Sequence, residues 1–176
     1  LPVETALEIA ETKSQLKDCG VDLVCHAERG NGVITEVRNK LITKFLDSDC
    51  DYLFWLDDDM IFKTADFIKL LALATIKECV AASYPTRSEQ PIFHIHPIDS
   101  HGENEFYDLG LLKCKGLGLG FTCIKRSVVE KLIATKETYI ETNGTNLMYD
   151  VFRNGVVDKE YWGEDINFFY DLFDLG

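Results

Sequence analysis

Apolar and polar positions along the chain follow two periods, and the changes of period divide it into elements. Leu1 to Lys17 carries Val3, Leu7, Ile9 and Leu16 in an apolar helical stripe, with Ala10, Ser14 and Lys17 on the side of Leu7, and Gly20 follows as a C-terminal cap. Val21 to Cys25 is short and apolar, which predicts a strand, and the polar stretch from His26 to Gly32, with Glu28, Arg29 and Asn31, reads as the loop at its C-terminal end. Val33 to Leu46 gives the clearest helix, since Ile34, Val37, Leu41 and Phe45 recur at helical spacing with Ile42 beside them. Arg38 lies one residue round from Val37, where it either faces solvent or reaches back over the strand ends.

Tyr52-Leu53-Phe54-Trp55-Leu56 then runs straight into Asp57-Asp58-Asp59. A run so short and so aromatic predicts a buried strand, parallel to its neighbours. Carboxylates are not left unpaired in a core, so the acids belong at the strand's C-terminal end, where water or a cation reaches them. Open α/β sheets keep their ligand crevice at that end. Asp57 and Asp59 point the same way in extended chain and offer paired hard oxygens to Mg2+ or Mn2+. A solvated acidic turn after a strand has the same composition, so the triplet alone leaves both readings open.

Further on, Thr64 caps a helix to about Lys77, with Phe67, Leu70, Leu71 and Ala74 inward, and Val80 to Ala82 is a short strand closed by Tyr84-Pro85. The stretch from Thr86 to Gly102 is loop-like and holds His94, His96 and His101. His94-x-His96 would bind metal on a strand edge; a hairpin with polar outward faces accounts for the same spacing. Phe106 to Cys114 predicts a strand. In Gly116-Leu117-Gly118-Leu119-Gly120 the glycines lead into another strand, Phe121 to Ile124, not into a helix as in the dinucleotide fingerprint. Backbone bare of side chains lets a ligand or another segment come close; a bulged strand beside a bulky neighbour is the alternative. Ser127 to Glu130 has the form of a capping box. Residues 135–157 are polar and irregular, with Asn143-Gly144 a turn and Leu147 to Phe152 a candidate strand. Glu164 and Asp165 open an aromatic helix, where carboxylates suit the positive end of the dipole. The alternation of strand and helix predicts an α/β fold, a mainly parallel mixed sheet flanked by helices in a single domain over residues 1–176.

Composition narrows the function. The chain has 176 residues, enough for one cored domain, and a net charge of −12 from 30 acids against 18 Lys and Arg. That balance disfavours nonspecific binding to nucleic acid or an anionic membrane, while a metal and a few local arginines still permit a nucleotide. The six cysteines form no CxxC pair and read as reduced thiols, no window is apolar enough to span a membrane, and no stretch reads as a signal peptide. A cytoplasmic location is the expectation.

Four segments, in this order, resemble the nucleotide-sugar-dependent glycosyltransferases of the GT-A fold, family-2-like members in particular. Val37-Arg38-Asn39 is similar to their Arg-Asn pair on the helix before the acidic strand, and Asp57-Asp58-Asp59 to their Asp-x-Asp motif. Gly118-Leu119-Gly120-Phe121-Thr122-Cys123-Ile124-Lys125-Arg126 resembles their glycine-aromatic strand ending on a basic residue. Gly163-Glu164-Asp165-Ile166-Asn167-Phe168 resembles their Glu-Asp motif. The match spans nearly the whole chain, but the family's base-binding first strand does not precede Leu1 and its late metal-binding His does not appear before Gly176, as in a domain lacking its first strand and C-terminal end.

The resemblance implies transfer of a sugar from a nucleoside-diphosphate sugar, most often a UDP-sugar, to an acceptor hydroxyl with Mn2+ or Mg2+. It implies Asp57 and Asp59 as metal ligands, and Arg29, Asn31, Arg38, Asp57, Asp58, Gly118, Gly120 and Trp162 around the nucleotide sugar. Asp165 becomes the general base, with Glu164 its alternate; a base across the sugar from the diphosphate gives inversion, whereas in retaining relatives a similarly placed acid positions donor and acceptor, and the sequence does not separate the two. Tyr161 and Trp162 offer flat faces to a sugar ring. Two other readings compete. A haloacid-dehalogenase-type phosphatase also places Asp-x-Asp after an apolar strand, with the first Asp as nucleophile, though on its first strand. A noncatalytic nucleotide-sugar-binding module would bind without turnover.

Overall fold

One short sheet with apolar side chains on both faces organises the chain. The structure, a computed structural model, describes residues 1–28, 32–85, 90–93, 95–98, 106–141, 144–157 and 159–176. In order the elements are α1 (Val3–Asp18), α2 (Ile34–Leu46), β1 (Tyr52–Leu56), α3 (Thr64–Lys77), β2 (Cys79–Ala81), β3 (Ile95–Pro97), β4 (Phe106–Tyr107), β5 (Leu111–Leu112), β6 (Cys114–Leu117), β7 (Phe121–Lys125), α4 (Arg126–Ile133), β8 (Thr138–Ile140), β9 (Leu147–Tyr149), β10 (Gly155–Val157), β11 (Glu160–Trp162) and α5 (Glu164–Asp174).

β7 lies between β1 and β2 and runs opposite to both, with Tyr52 across from Lys125, Leu56 from Phe121 and Cys79 from Ile124. The pairs β3–β6, β4–β5, β8–β9 and β10–β11 are antiparallel too. The mainly parallel, Rossmann-like mixed sheet expected from the sequence is therefore corrected: among the described residues every strand pair is antiparallel. Alternation of strand and helix was read as a row of parallel neighbours. β1 and β2, joined by α3, do point the same way, but β7 arrives from much later in the chain and inserts between them.

The two faces of this sheet carry two cores. Leu53 and Trp55 of β1 meet Ile42 and Phe45 of α2, Val129 and Leu132 of α4, and Phe168 and Phe169 of α5. Tyr52, Phe54 and Leu56 meet Leu16 of α1 and Phe67, Leu70 and Ala74 of α3, with Phe121 and Cys123 of β7. The period-two pattern of β1 thus serves two helical layers at once. Aromatic pairs join the layers to the sheet: Phe54 stacks on Phe67 with centroids 3.8 Å apart, and Trp55 meets Phe152 edge-on at 5.4 Å. Each such pair contributes about 0.5–1.5 kcal/mol beyond its buried area.

Several local expectations change once neighbours are present. Residues 21–28 form no strand; Leu23 packs against the core while Val21 and Val24 stay exposed. The segment expected as one strand from Phe106 to Cys114 breaks at Leu109 and Gly110, whose positive φ values of 76° and 71° turn the chain back so that Phe106 pairs with Leu112. α1 turns Thr5, Thr12 and Leu16 inward, not Val3 and Leu7, because the two hydroxyls bond to the Met60 carbonyl and to Thr64. Thr64 is the first residue of α3, not its cap. Its N–H is capped from α1, donating to Glu8 Oε2 at 2.7 Å. The box at Ser127 does not form either: α4 starts at Arg126, whose guanidinium donates to the carbonyls of Phe45, Ser48 and Cys50 and latches the end of α2 to the turn before β1.

All six cysteines are free, and burial pushes the Cys79 and Cys123 thiols up to about 12. Among the described residues no helix is long and apolar enough to cross a membrane.

The Thr64 N–H, the Thr64 hydroxyl and Lys63 hold the Glu8 carboxyl below its ordinary range. A depressed carboxylate adds stability above its unfolded pKa of about 4.3 and loses it as pH falls through the folded value. Glu8→Gln is therefore expected to lower the melting temperature at pH 7, and the gap to wild type should close below about pH 4. A thermal-unfolding series across pH checks this.

Candidate functional site

The sheet topology collects chemistry at one edge. The C-terminal ends of β1 and β2 and the N-terminal end of β7 coincide there, since Leu56 faces Phe121 and the Ala82 N–H donates to the Phe121 carbonyl. Asp57 follows β1, Tyr84 follows β2, and Gly118 and Gly120 precede β7. The Asp57 N–H donates to the Gly120 carbonyl at 3.0 Å, continuing the ladder one step past the strand. The chain then turns back, with the Met60 N–H donating to the Asp57 carbonyl. Asp58 and Asp59 sit exposed on this turn.

Arg38 lies under that edge and is buried, its side chain only 8% exposed. Its guanidinium donates to Glu164 Oε1 at 2.8 Å and to Asp57 Oδ1 at 3.3 Å, and lies 5.7 Å from the centre of the Phe152 ring. A buried guanidinium is tolerated when its charge and donors are matched in this way. Arg38 thus reaches over the strand ends and does not face solvent. Asn39 completes the arrangement: its side-chain oxygen accepts the N–H groups of Val151 and Phe152, at 3.2 and 2.8 Å, and its amide donates to the Tyr139 hydroxyl. Phe152 stacks on Phe168 of α5 at 4.7 Å. The neighbouring pair Arg38-Asn39 therefore ties α2 to β1, to α5 and to the segment before β10.

α5 begins at Glu164, so its N-terminal end points its first acids at this edge. Asn167 locks the approach by donating to the carbonyls of Arg153, Trp162 and Gly163. Glu164 is committed to Arg38. Asp165 is half-buried, its Oδ1 accepts the Ile166 N–H at 2.7 Å, and among the described residues it has no cationic partner. Trp162 meets His96 edge-on at 4.7 Å, and both lie near Tyr170.

The glycines are explained by what stands against them. A Cβ on Gly120 would fall 2.5 Å from Asp57 Oδ2 and 2.7 Å from the Tyr84 hydroxyl, and one on Gly118 would fall 2.6 Å from that hydroxyl. The bulky phenol of Tyr84 and the Asp57 carboxylate are what approach these glycines. Tyr84 was missed by sequence reasoning. The signal available was its position: it comes three residues after the end of a short apolar strand, as Asp57 comes directly after one.

The structure brings together Arg38, Asp57, Gly118, Gly120 and Glu164, with Asp165 and Trp162 beside them on α5 and β11. Arg29, Asn31, His94 and His101 lie outside the described residues. Among the described residues no three His, Cys, Asp or Glu side chains could cage a metal unaided. Mg2+ and Mn2+ use one or two carboxylates and complete their shell with water and phosphate oxygens, so Asp57 and Asp59 are the residues at this turn that could contribute to such a site. Asp57 is 37% exposed and anchored through Oδ1 by Arg38, which orients it without burying it.

No protein-family model matches the chain, and no curated protein matches it. Among solved structures it is similar to the crystal structure of A197 from STIV, at 23% sequence identity and a TM-score of 0.52, over 90% of this chain and 68% of that chain. At that identity the likeness is one of fold.

Replacing Arg38 by Met leaves Glu164 and Asp57 facing each other without their shared cation. The expected loss is about 3 kcal/mol of unfolding free energy, measured by urea denaturation, and Glu164→Gln should cost less because the amide oxygen still accepts from Arg38.

Proposed function

We propose that the chain is a metal-dependent glycosyltransferase that moves a sugar from a nucleoside-diphosphate sugar, a UDP-sugar first among them, to an acceptor hydroxyl. One observation supports the reading above the others. Asp57, Glu164 and the Gly118–Gly120 segment, which resemble three separate motifs of such enzymes, meet around the single buried guanidinium of Arg38, itself the fourth. Residues that only capped helices or closed turns would have no reason to converge.

Asp59 and Asp57 would hold the Mn2+ or Mg2+ ion, which when bound offsets the charge gathering on the departing diphosphate. The chain's own residues do the rest. Arg38 keeps Asp57 and Glu164 in fixed positions, so the acidic rim does not rearrange as substrate arrives. Asp165 takes the proton of the attacking acceptor hydroxyl, since among the described residues no cation competes for its carboxylate. With the base across the sugar from the diphosphate, transfer inverts the sugar carbon; a retaining enzyme would use the same acid to position donor and acceptor. Trp162 and the exposed Tyr161 offer apolar faces to a sugar ring. Six free cysteines suit a reducing, cytoplasmic setting.

Transfer or donor hydrolysis measured with Mn2+ tests the proposal. Asp59→Ala is expected to lower the rate by about 10²-fold or more, the effect of several kcal/mol of lost charge stabilisation. An unchanged rate in a folded variant removes Asp59 from the chemistry. Asp165→Asn should abolish transfer while calorimetry still detects donor binding; lost donor affinity would reassign Asp165 to binding or structure.

A further inference from the structure

Tyr84 belongs to none of the motifs, yet it occupies the middle of the site. Its ring stands where the Cβ atoms of Gly118 and Gly120 would be, and its oxygen accepts the Gly120 N–H at 2.8 Å. That bond and the close packing fix the hydroxyl in place. A phenol carries one hydrogen of its own to donate. Among the described residues that hydrogen has no acceptor, although the group is more than half buried. A hydroxyl of this exposure can give that hydrogen to water or to a ligand that displaces the water.

The surroundings define what the missing acceptor is. Burial raises the Tyr84 pKa, the Gly120 N–H lowers it, and the nearby carboxylates of Asp57 and Asp165 raise it again, so the hydroxyl stays protonated and able to donate at neutral pH. The same two carboxylates repel a bare phosphate oxygen. A sugar hydroxyl meets both conditions, because it accepts from Tyr84 and donates to a carboxylate. Tyr84 is also near both Asp57, which holds the diphosphate end in the sugar-transfer reading, and Asp165, the base at the acceptor end.

We propose that Tyr84 is a specificity-determining residue of this site, donating its hydroxyl hydrogen to a hydroxyl oxygen of the donor sugar between Asp57 and Asp165. The inference rests on the sugar-transfer reading and adds to it the group that recognises the sugar as distinct from the nucleotide. A site built to hydrogen-bond a substrate hydroxyl discriminates strongly against analogues lacking it.

The test compares UDP with UDP-glucose, UDP-galactose and UDP-N-acetylglucosamine by calorimetry in Mn2+, for wild type, Tyr84→Phe and Gly118→Ala. The alanine Cβ displaces the phenol oxygen without removing it, so the two variants perturb one contact by different routes. In both, the best-bound UDP-sugar is expected to weaken by about 10-fold, the scale of one hydrogen bond, and in Tyr84→Phe the binding of UDP itself is unchanged. Deoxygenating that sugar one position at a time should reveal one hydroxyl whose loss matters to wild type and not to Tyr84→Phe. Equal weakening of UDP and UDP-sugar, or no change in either, overturns the assignment to Tyr84 while leaving sugar transfer standing. A wild-type protein that binds none of these ligands overturns the sugar-transfer reading itself, and this inference with it.

Discussion

The structure depends on one buried positive charge. Arg38 comes from a helix that otherwise packs apolar residues against the sheet, and its guanidinium has almost no access to water. Such a group is stable only if the fold delivers matched acceptors to it. The fold delivers two, from the end of β1 and the start of α5, with 126 positions between Arg38 and Glu164. Each carboxylate is in turn held where it is by needing the same cation. Asn39, the next residue, performs the equivalent task with neutral hydrogen bonds, pinning the segment that carries Phe152 into the core. Two adjacent polar residues on one helix therefore set the relative placement of the acidic turn, α5 and the loop before β10.

Around that charge the insertion of β7 between β1 and β2 decides what else shares the edge. A strand that enters the sheet antiparallel begins where its neighbours end, so the glycines preceding β7 come alongside Asp57 and Tyr84. The absence of side chains at Gly118 and Gly120 is required by those two residues, not by an unfilled groove. Packing at this edge is tight enough that one methyl group at either glycine would shift a functional side chain.

Electrostatics constrain what such a site can hold. The chain carries a net charge of −12, and Asp57, Asp58, Asp59, Glu164 and Asp165 gather near one rim, where Arg38 is matched to Asp57 and Glu164. A cation placed between them eases the approach of any anionic group to such a rim. A neutral, hydroxyl-rich group needs no such help, since carboxylates and a phenol together satisfy it. The rim thus divides into an exposed acidic turn, Asp58 and Asp59, and the half-buried side chains of Tyr84 and Asp165.

Read alone, the sequence determined the elements with the strongest periodicity: α2 and α3 nearly to the residue, the start of α5, β1 and β7, the left-handed Gly20 after α1, and the acids at the end of β1. These follow from local chemistry, in which side-chain spacing, capping glycine and the cost of burying carboxylates act within a few neighbouring residues. Strand direction, the inward face of α1, the cap of α3 from Glu8, the latch at Arg126 and the role of Tyr84 were decided only in three dimensions. In each case the partner comes from a distant part of the chain, and no periodicity records a partner that far away. Arg38 shows the boundary well. Its place on the helix was legible, but whether it faced water or the core depended on two carboxylates that only the folded chain brings within reach.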